Sequence, residues 1–269
     1  MRWKTRAIAM VVVVVLMAVS FVIPVSAISD EEVAAPSAIL MEPNTGKILY
    51  EKNANELRPC ASITKVMTLV LVMEAIDSGK ISLDDQVTAS AHAASMGGSD
   101  IWLKEGETMS VNDLIKATVI MSANDAAVVL AEHVYGTEDE FVKQMNIRAK
   151  QLGMNDTTFK NCNGLDEDGH LTTAHDVALM SAELIKHEKI FDYTLTWMDY
   201  VRDGETQLVN TNKLIRSYKG ITGLKTGTTS QAGSCISATA KRDNLSLVAV
   251  VLGCSTTDER FTSASTLLD

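Results

Sequence analysis

The chain has 269 residues, 46% of them hydrophobic, and 24 Lys and Arg against 34 Asp and Glu give a formal charge of −10. That length and apolar content suit one large domain or two small ones with a sizeable core, and exclude a disordered or fibrous chain. The negative balance repels phosphate backbones and anionic lipid, so no nucleic-acid partner is expected.

Arg2, Lys4 and Arg6 precede an uninterrupted apolar run from Ala7 to Val19, and Val25-Ser26-Ala27 offers a small-residue cleavage site. Residues 1–27 are therefore read as a signal peptide and set apart from the fold, which places the mature chain outside the cytoplasmic membrane, secreted or periplasmic. The alternative is a retained anchor, because the apolar stretch together with Phe21–Val25 approaches spanning length. Cleavage removes three cations and moves the formal charge from −10 to −13.

After a leader at 28–36, "SAILMEPNTGKILYEKN" has two apolar runs around Pro43-Asn44-Thr45-Gly46, a hairpin signal. Helical patterning follows over 62–78, 111–135, 138–152 and 173–187, the first three stopped by Gly79, Gly136 and Gly153. Polar loops such as "SMGGSD" and "NCNGLDEDGH" lie between them. Strand chemistry returns in "GITGLKTGTT", "GSCISATA" and "LSLVAVVLG", the last two joined across Lys241-Arg242-Asp243-Asn244. Strands at both ends with helices between predict an α+β fold: an antiparallel sheet whose first and last strands meet, flanked by helices and carrying a helical subdomain.

Within the first helical run, Ser62 and Lys65 are three apart, on one helix face and one turn from each other. Ser62 follows Pro59 at the first turn, where free N–H groups and the positive dipole end favour an anionic centre. Val66, Met67, Leu69, Val70, Leu71, Val72 and Met73 make the rest apolar nearly all round, so the helix is buried and Lys65 is desolvated. Burial disfavours the ammonium, and a shift of roughly three units would bring the amine near neutrality. A neutral amine beside a hydroxyl is a general base beside a nucleophile. Taken alone, the pair also fits an N-capping serine and a lysine whose head snorkels to the surface.

In "VIMSANDAAVVLAEHV", Ser122, Asn124 and Asp125 interrupt an apolar run, so they should face a polar cavity or each other. Ser122 could relay protons and Asn124 could hold a substrate amide; a helix–helix turn with local caps is the plainer alternative. In "GLKTGTT", Gly227 lets another backbone approach, so a substrate could lie along this strand as an added neighbour. Lys225 would set a second cation near Lys65 and push it further towards neutrality, and Thr226 with a cation could hold a carboxylate. An ordinary strand ending in a glycine turn is the alternative.

Cys60, Cys162, Cys235 and Cys254 show no C-x-x-C pairing or zinc spacing and are read as small buried hydrophobes, any disulfide pairing being left open. His170 and His175 are read as solvated loop residues, and no metal or cofactor is expected.

Together, S-x-x-K at Ser62–Lys65, S-x-N at Ser122–Asn124 and K-T-G at Lys225–Gly227 resemble the signature of the active-site serine penicillin-recognising enzymes. Through "MEPNTGKILYEKN", "SMGGSDIWLKEGE", "NGLDEDGHLTTAHDVALM", "NTNKLI" and "GLKTGTTSQAGSCISATAKRD" the likeness covers nearly all of 37–269, and it is to the low-molecular-mass penicillin-binding proteins that are D-alanyl-D-alanine carboxypeptidases. The resemblance implies a β-lactamase/transpeptidase-like catalytic domain over 37–269 that trims the terminal D-alanine from peptidoglycan stem peptides and is acylated by β-lactams. It implies Ser62 as nucleophile, Lys65 as its base, and Ser122, Asn124 and Lys225 as the proton network and substrate clamp. It further places the oxyanion hole at the backbone N–H groups of Ser62 and Thr228, and a carboxylate-facing arginine at Arg260. Ala123 stands where the S-D-N form has Asp, and the resulting S-x-N suits the carboxypeptidases.

Such relatives commonly continue into a β-rich domain and an amphipathic membrane anchor. This chain stops at Asp269, in what reads as the closing helix of the catalytic domain, so it is expected to be a fragment or to lack the anchor, with membrane association reserved for a longer form. Rival readings are a D,D-endopeptidase, a serine β-lactamase with Glu167 as the deacylating base, and a non-catalytic peptidoglycan-binding protein. Intact Ser62, Lys65 and Lys225 argue against the last.

Overall fold

The structure is a computed structural model that describes residues 28–269, so the segment read as a signal peptide lies outside the described residues. Strands β1 (Ser37–Glu42) and β2 (Lys47–Lys52) form the expected antiparallel hairpin across Pro43–Gly46. At the other end of the chain, β7 (Ile221–Thr229), β8 (Gly233–Arg242) and β9 (Leu245–Cys254) run antiparallel in turn. The sheet has the order β2-β1-β9-β8-β7, with Ile39 of β1 opposite Val250 of β9, so the first and last strands do meet. Strand β7, which carries Lys225-Thr226-Gly227, is one edge of the sheet.

Both faces of the sheet are covered, which explains why β9 reads as a continuous apolar run rather than an alternating one. Ile39, Met41, Val248, Val250 and Leu252 point into the larger core under the helices. Ala38, Leu40, Ile236, Ala249 and Val251 pack instead against Phe261, Ala264 and Leu267. Those three residues lie on α6 (Thr257–Leu268), which starts from a reciprocal capping box between Thr256 and Glu259.

The helical part contains α1 (Lys65–Asp77), α2 (Val111–Lys116), α3 (Asn124–Tyr135), α4 (Glu138–Gln151) and α5 (Ala174–Leu184). Helix α1 is buried on every side from Lys65 to Met73 and packs on α3, α4, α5 and β7, as its all-round apolar sequence requires. Two predicted helices differ in a way that matters for the site. The turn Ala61–Thr64 at the head of the first is 3-10 rather than α. The run predicted over 111–135 is broken: a π-helical turn (Ala117–Met121) follows α2, Ser122 is left-handed at φ 67°, and α3 restarts at Asn124.

Two small ribbons were not predicted. They are β3 (Gln86–Thr88) with β4 (Thr108–Ser110), and β5 (Met198–Val201) with β6 (Thr206–Val209). Three-residue strands about twenty positions apart leave no local pattern, whereas Asp203-Gly204 between β5 and β6 is a legible turn signal. Among the described residues no helix is long and apolar enough to cross a membrane.

Leu69 lies in the middle of α1 and is 1% exposed. Leu69→Ala should lower unfolding free energy by about 2–5 kcal/mol in urea titrations. Leu57→Ala, at a side chain 53% exposed, should change it by no more than about 0.5 kcal/mol.

Candidate active site

The nucleophile candidate sits on the 3-10 turn rather than inside the α-helix. With three residues per turn, positions i and i+3 eclipse, so Ser62 and Lys65 stack directly. Lys65 Nζ lies 3.0 Å from Ser62 Oγ, 2.6 Å from Asn124 Oδ1 and 2.7 Å from the Asn163 carbonyl. Asn124 Nδ2 donates to the Gly97 carbonyl at 2.7 Å, which fixes the amide so that its oxygen faces the lysine.

Lys65 is fully buried, and burial pushes its pKa down to about 7, against the opposing pull of Cys162, Asp100 and Asp125. Cys162 is itself held well above its ordinary value by burial, so its thiol is uncharged at neutral pH and adds little to that pull. A neutral primary amine has two N–H donors and one lone pair. The carbonyl-type oxygens of Asn124 and Asn163 can only accept, so they take both N–H bonds and leave the lone pair for the Ser62 hydroxyl. The site is thus wired for an uncharged lysine that accepts a proton from Ser62.

Lys225 is close enough for its charge and that of Lys65 to repel each other: burial first, then the charges of Lys65 and Arg260, hold Lys225 well below its ordinary value. Lys225 Nζ donates to the Thr226 carbonyl at 3.0 Å. Ser122 is 6% exposed and held in the left-handed region two residues before Asn124. Among the described contacts, Ser122 hydrogen-bonds neither lysine.

Strand β7 runs past the Ser62 turn with no room for a side chain. A Cβ on Gly227 would lie 2.8 Å from the Cys60 carbonyl oxygen and 3.0 Å from the Ser62 nitrogen. The backbone that Gly227 admits is therefore the chain's own Cys60–Ser62 turn, not a substrate strand as the sequence suggested. That approach sets the Ser62 amide beside the Gly227–Thr228 peptide. The outer edge of β7 is covered by no other strand among the described residues. Thr226 Oγ1 is 2.6 Å from Thr211 Oγ1. Arg260 reaches the same point from α6, donating to Thr228 Oγ1 at 2.8 Å and to the Gly227 carbonyl at 3.1 Å, with its Nε unpartnered.

The loop 161–170 closes the other wall. Gly164, at φ +86°, rests on the nucleophile turn so tightly that a Cβ would fall 2.0 Å from the Ala61 oxygen. Asp166 accepts from Thr229 Oγ1 at 2.6 Å and from Ser230 Oγ at 3.3 Å, tying this loop to the end of β7. Glu167, the candidate base of the β-lactamase reading, is exposed and accepts from Asn161 within its own loop at 3.1 Å. Among the described contacts it touches neither Ser62 nor Lys65.

His170 corrects the sequence reading, for it is 5% exposed rather than solvated. Its Nδ1 accepts from the Lys160 amide at 3.1 Å, which assigns the ring proton to Nε2, 2.8 Å from Thr64 Oγ1. Burial lowers its pKa to about 4, so the ring is neutral and braces the nucleophile turn. His175 is half-buried beside Asp176. The four cysteines are free and buried, as small hydrophobes would be. Among the described residues no group of three or more His, Cys, Asp or Glu side chains is placed to hold a metal ion.

Ser62, Lys65, Ser122, Asn124, Lys225, Thr226, Gly227, Thr228 and Arg260 thus converge from four segments of the chain. Asn163, Gly97, Thr211, Asp166 and His170 were missed. Two of them act through backbone carbonyls, which leave no side-chain signal.

A family model described as D-alanyl-D-alanine carboxypeptidase matches residues 24–256. The chain is 50% identical over 238 residues to the D-alanyl-D-alanine carboxypeptidase DacF of Bacillus subtilis, covering 87% of this chain and 61% of that protein. It is 38% identical over 257 residues to DacC of Escherichia coli, covering 91% of this chain and 64% of that one. The chain therefore spans just under two thirds of the length of these relatives. Penicillin-binding protein D2 from Listeria monocytogenes, solved in an ampicillin-bound form, superposes with a TM-score of 0.81 at 35% identity, covering 89% of this chain and 98% of that one.

If Lys65 accepts the Ser62 proton, it must be uncharged to act, so acylation should fail where it is protonated. The rate of attachment of a labelled penicillin should rise with pH through about 7 and level off above it. A stopped-flow series from acid to mild alkali reads this, and a flat profile would remove Lys65 as the base. Lys65→Ala should slow attachment by about a hundredfold or more.

Proposed function

The chain belongs to the D-alanyl-D-alanine carboxypeptidase family, and from that premise we propose that it is a serine D-Ala-D-Ala carboxypeptidase that trims peptidoglycan stem peptides. The observation that carries this reading is the amine of Lys65, buried, lowered to about 7 and 3.0 Å from Ser62 Oγ, at the foot of an open strand edge.

Ser62 Oγ attacks the carbonyl carbon between the two D-alanines as its proton passes to Lys65 Nζ. Charge that develops on the carbonyl oxygen meets the N–H groups of Ser62 and Thr228; one such donor is typically worth roughly 3–4 kcal/mol. The tetrahedral species collapses, the C–N bond breaks, and the departing amine takes a proton returned through Lys65, with Ser122 and Lys225 at hand as relay. D-Alanine leaves and a Ser62 ester remains, which water hydrolyses to the shortened peptide and free serine.

The substrate backbone adds to the edge of β7, with Asn124 holding the amide on one side and Thr226, Thr228 and Arg260 gathered where the terminal carboxylate falls. A β-lactam enters the same way, but its leaving group stays tethered and the ester persists. The segment 1–27 is taken to direct export, so the reaction takes place in the cell envelope.

Incubation with a soluble pentapeptide ending in D-Ala-D-Ala should release free D-alanine, and labelled penicillin should attach to Ser62, with both signals lost in Ser62→Ala. Mass spectrometry that finds the adduct on another residue, or no adduct on intact protein, would refute the assignment.

A further inference from the structure

Trp102 is 72% exposed and sits at φ 54°, in the left-handed region where bulky side chains are rare. Its surroundings hold it there. Ile101 and Leu103 on either side are 0% and 4% exposed, and their amides donate to the Asp125 carboxylate at 3.2 and 2.9 Å. The Ile101 carbonyl accepts from Arg202 Nη1 at 2.8 Å, while Arg202 Nε pairs with Glu107 at 2.6 Å. An in-out-in pattern anchored on both neighbours leaves the indole no route back to the core.

The platform is built onto the cleft. Ser99 accepts from the Asn124 amide at 2.6 Å, and Asp125 adjoins Asn124. Three residues of chain reach at most about 11 Å, so Trp102 stands at the rim of the site.

Around the indole lies an open depression of about 620 Å³, lined by Lys104, Glu105, Glu107 and Arg202 as well as Ile101 and Trp102. Two cations and two anions make that rim neutral overall. An aromatic face within a neutral, hydrogen-bonding rim does not attract anionic lipid or a charged peptide. It matches an uncharged sugar ring, which offers C–H groups to the indole and hydroxyl and acetamido groups to the rim.

We infer that Trp102 is a docking platform for an N-acetylated amino-sugar chain, the polymer to which stem peptides are attached. The inference rests on the proposed peptidoglycan substrate. The catalytic cleft grips the peptide end, and Trp102 holds the strand that delivers it.

Two measurements test this on the whole chain. In the first, the peptide-free β-1,4-linked tetrasaccharide of N-acetylglucosamine is titrated by calorimetry. Trp102→Ala should weaken binding by about fivefold and Trp102→Phe by less than about twofold. Equal affinity in all three proteins would overturn the platform. So would an absence of tetrasaccharide binding accompanied by Trp102-dependent binding to anionic phospholipid vesicles.

In the second, D-alanine release from uncross-linked polymer is compared with release from a soluble pentapeptide. The ratio of the two kcat/KM values should fall about fivefold in Trp102→Ala, through KM on the polymer. An unchanged ratio, or equal losses on both substrates, would refute the inference. If the native chain released no D-alanine from either substrate, the carboxypeptidase reading would fail, while the tetrasaccharide titration would still judge Trp102.

Discussion

A primary amine taken wholly out of water is the constraint around which this molecule is arranged. Lys65 is fully buried, and the structure spends one helix head, one amide side chain and one loop carbonyl on receiving its nitrogen. The arrangement weakens the fold. Between about pH 7 and the ordinary lysine value of 10.5, the unfolded chain binds a proton that the folded chain does not, so stability rises with pH across that window. Below it both states are charged and the full penalty of burial applies. Stability is thus given up for reactivity, a common trade at sites built on shifted pKa values.

The packing around the amine follows from the same need for dryness. β7 and the loop 161–170 press on the nucleophile turn from two sides, at Gly227 and Gly164, with no space for a Cβ at either. Ala61, beside Ser62, and Ser122, two residues before Asn124, both hold positive φ. Strained backbone gathers where side chains must be aimed and is retained because the surroundings over-determine it. Asp166 then ties the loop to the end of β7. The cleft stays open along β7, an edge strand whose outer backbone groups no other strand pairs with among the described residues.

Much of the fold was legible because local chemistry and tertiary outcome agreed. The hairpin at Pro43–Gly46, the all-round apolar α1 and the three C-terminal strands appear close to their predicted bounds. The break inside 111–135 was signalled only by Ser122 and Asn124 in an apolar run; nothing local announces a π turn followed by a left-handed serine. His170 was misread as solvated because its neighbours Asp166, Glu167 and Asp168 are exposed. Its burial comes from the loop folding back on Thr64, a contact between positions 106 apart.

By itself, the sequence determined that a serine and a lysine would share a face at the head of a buried helix and that strands from both ends would meet, and it marked three short motifs that the fold brings together. Those conclusions rest on periodicity and residue type, which act over a few positions. Only the tertiary structure decided that the turn would be 3-10 and that the Asn163 carbonyl would complete the lysine's partners. It also decided that Gly227 would seat the chain's own backbone rather than a ligand. Each of these depends on distances between segments far apart in the chain, set by how the two cores close, and no local pattern encodes them.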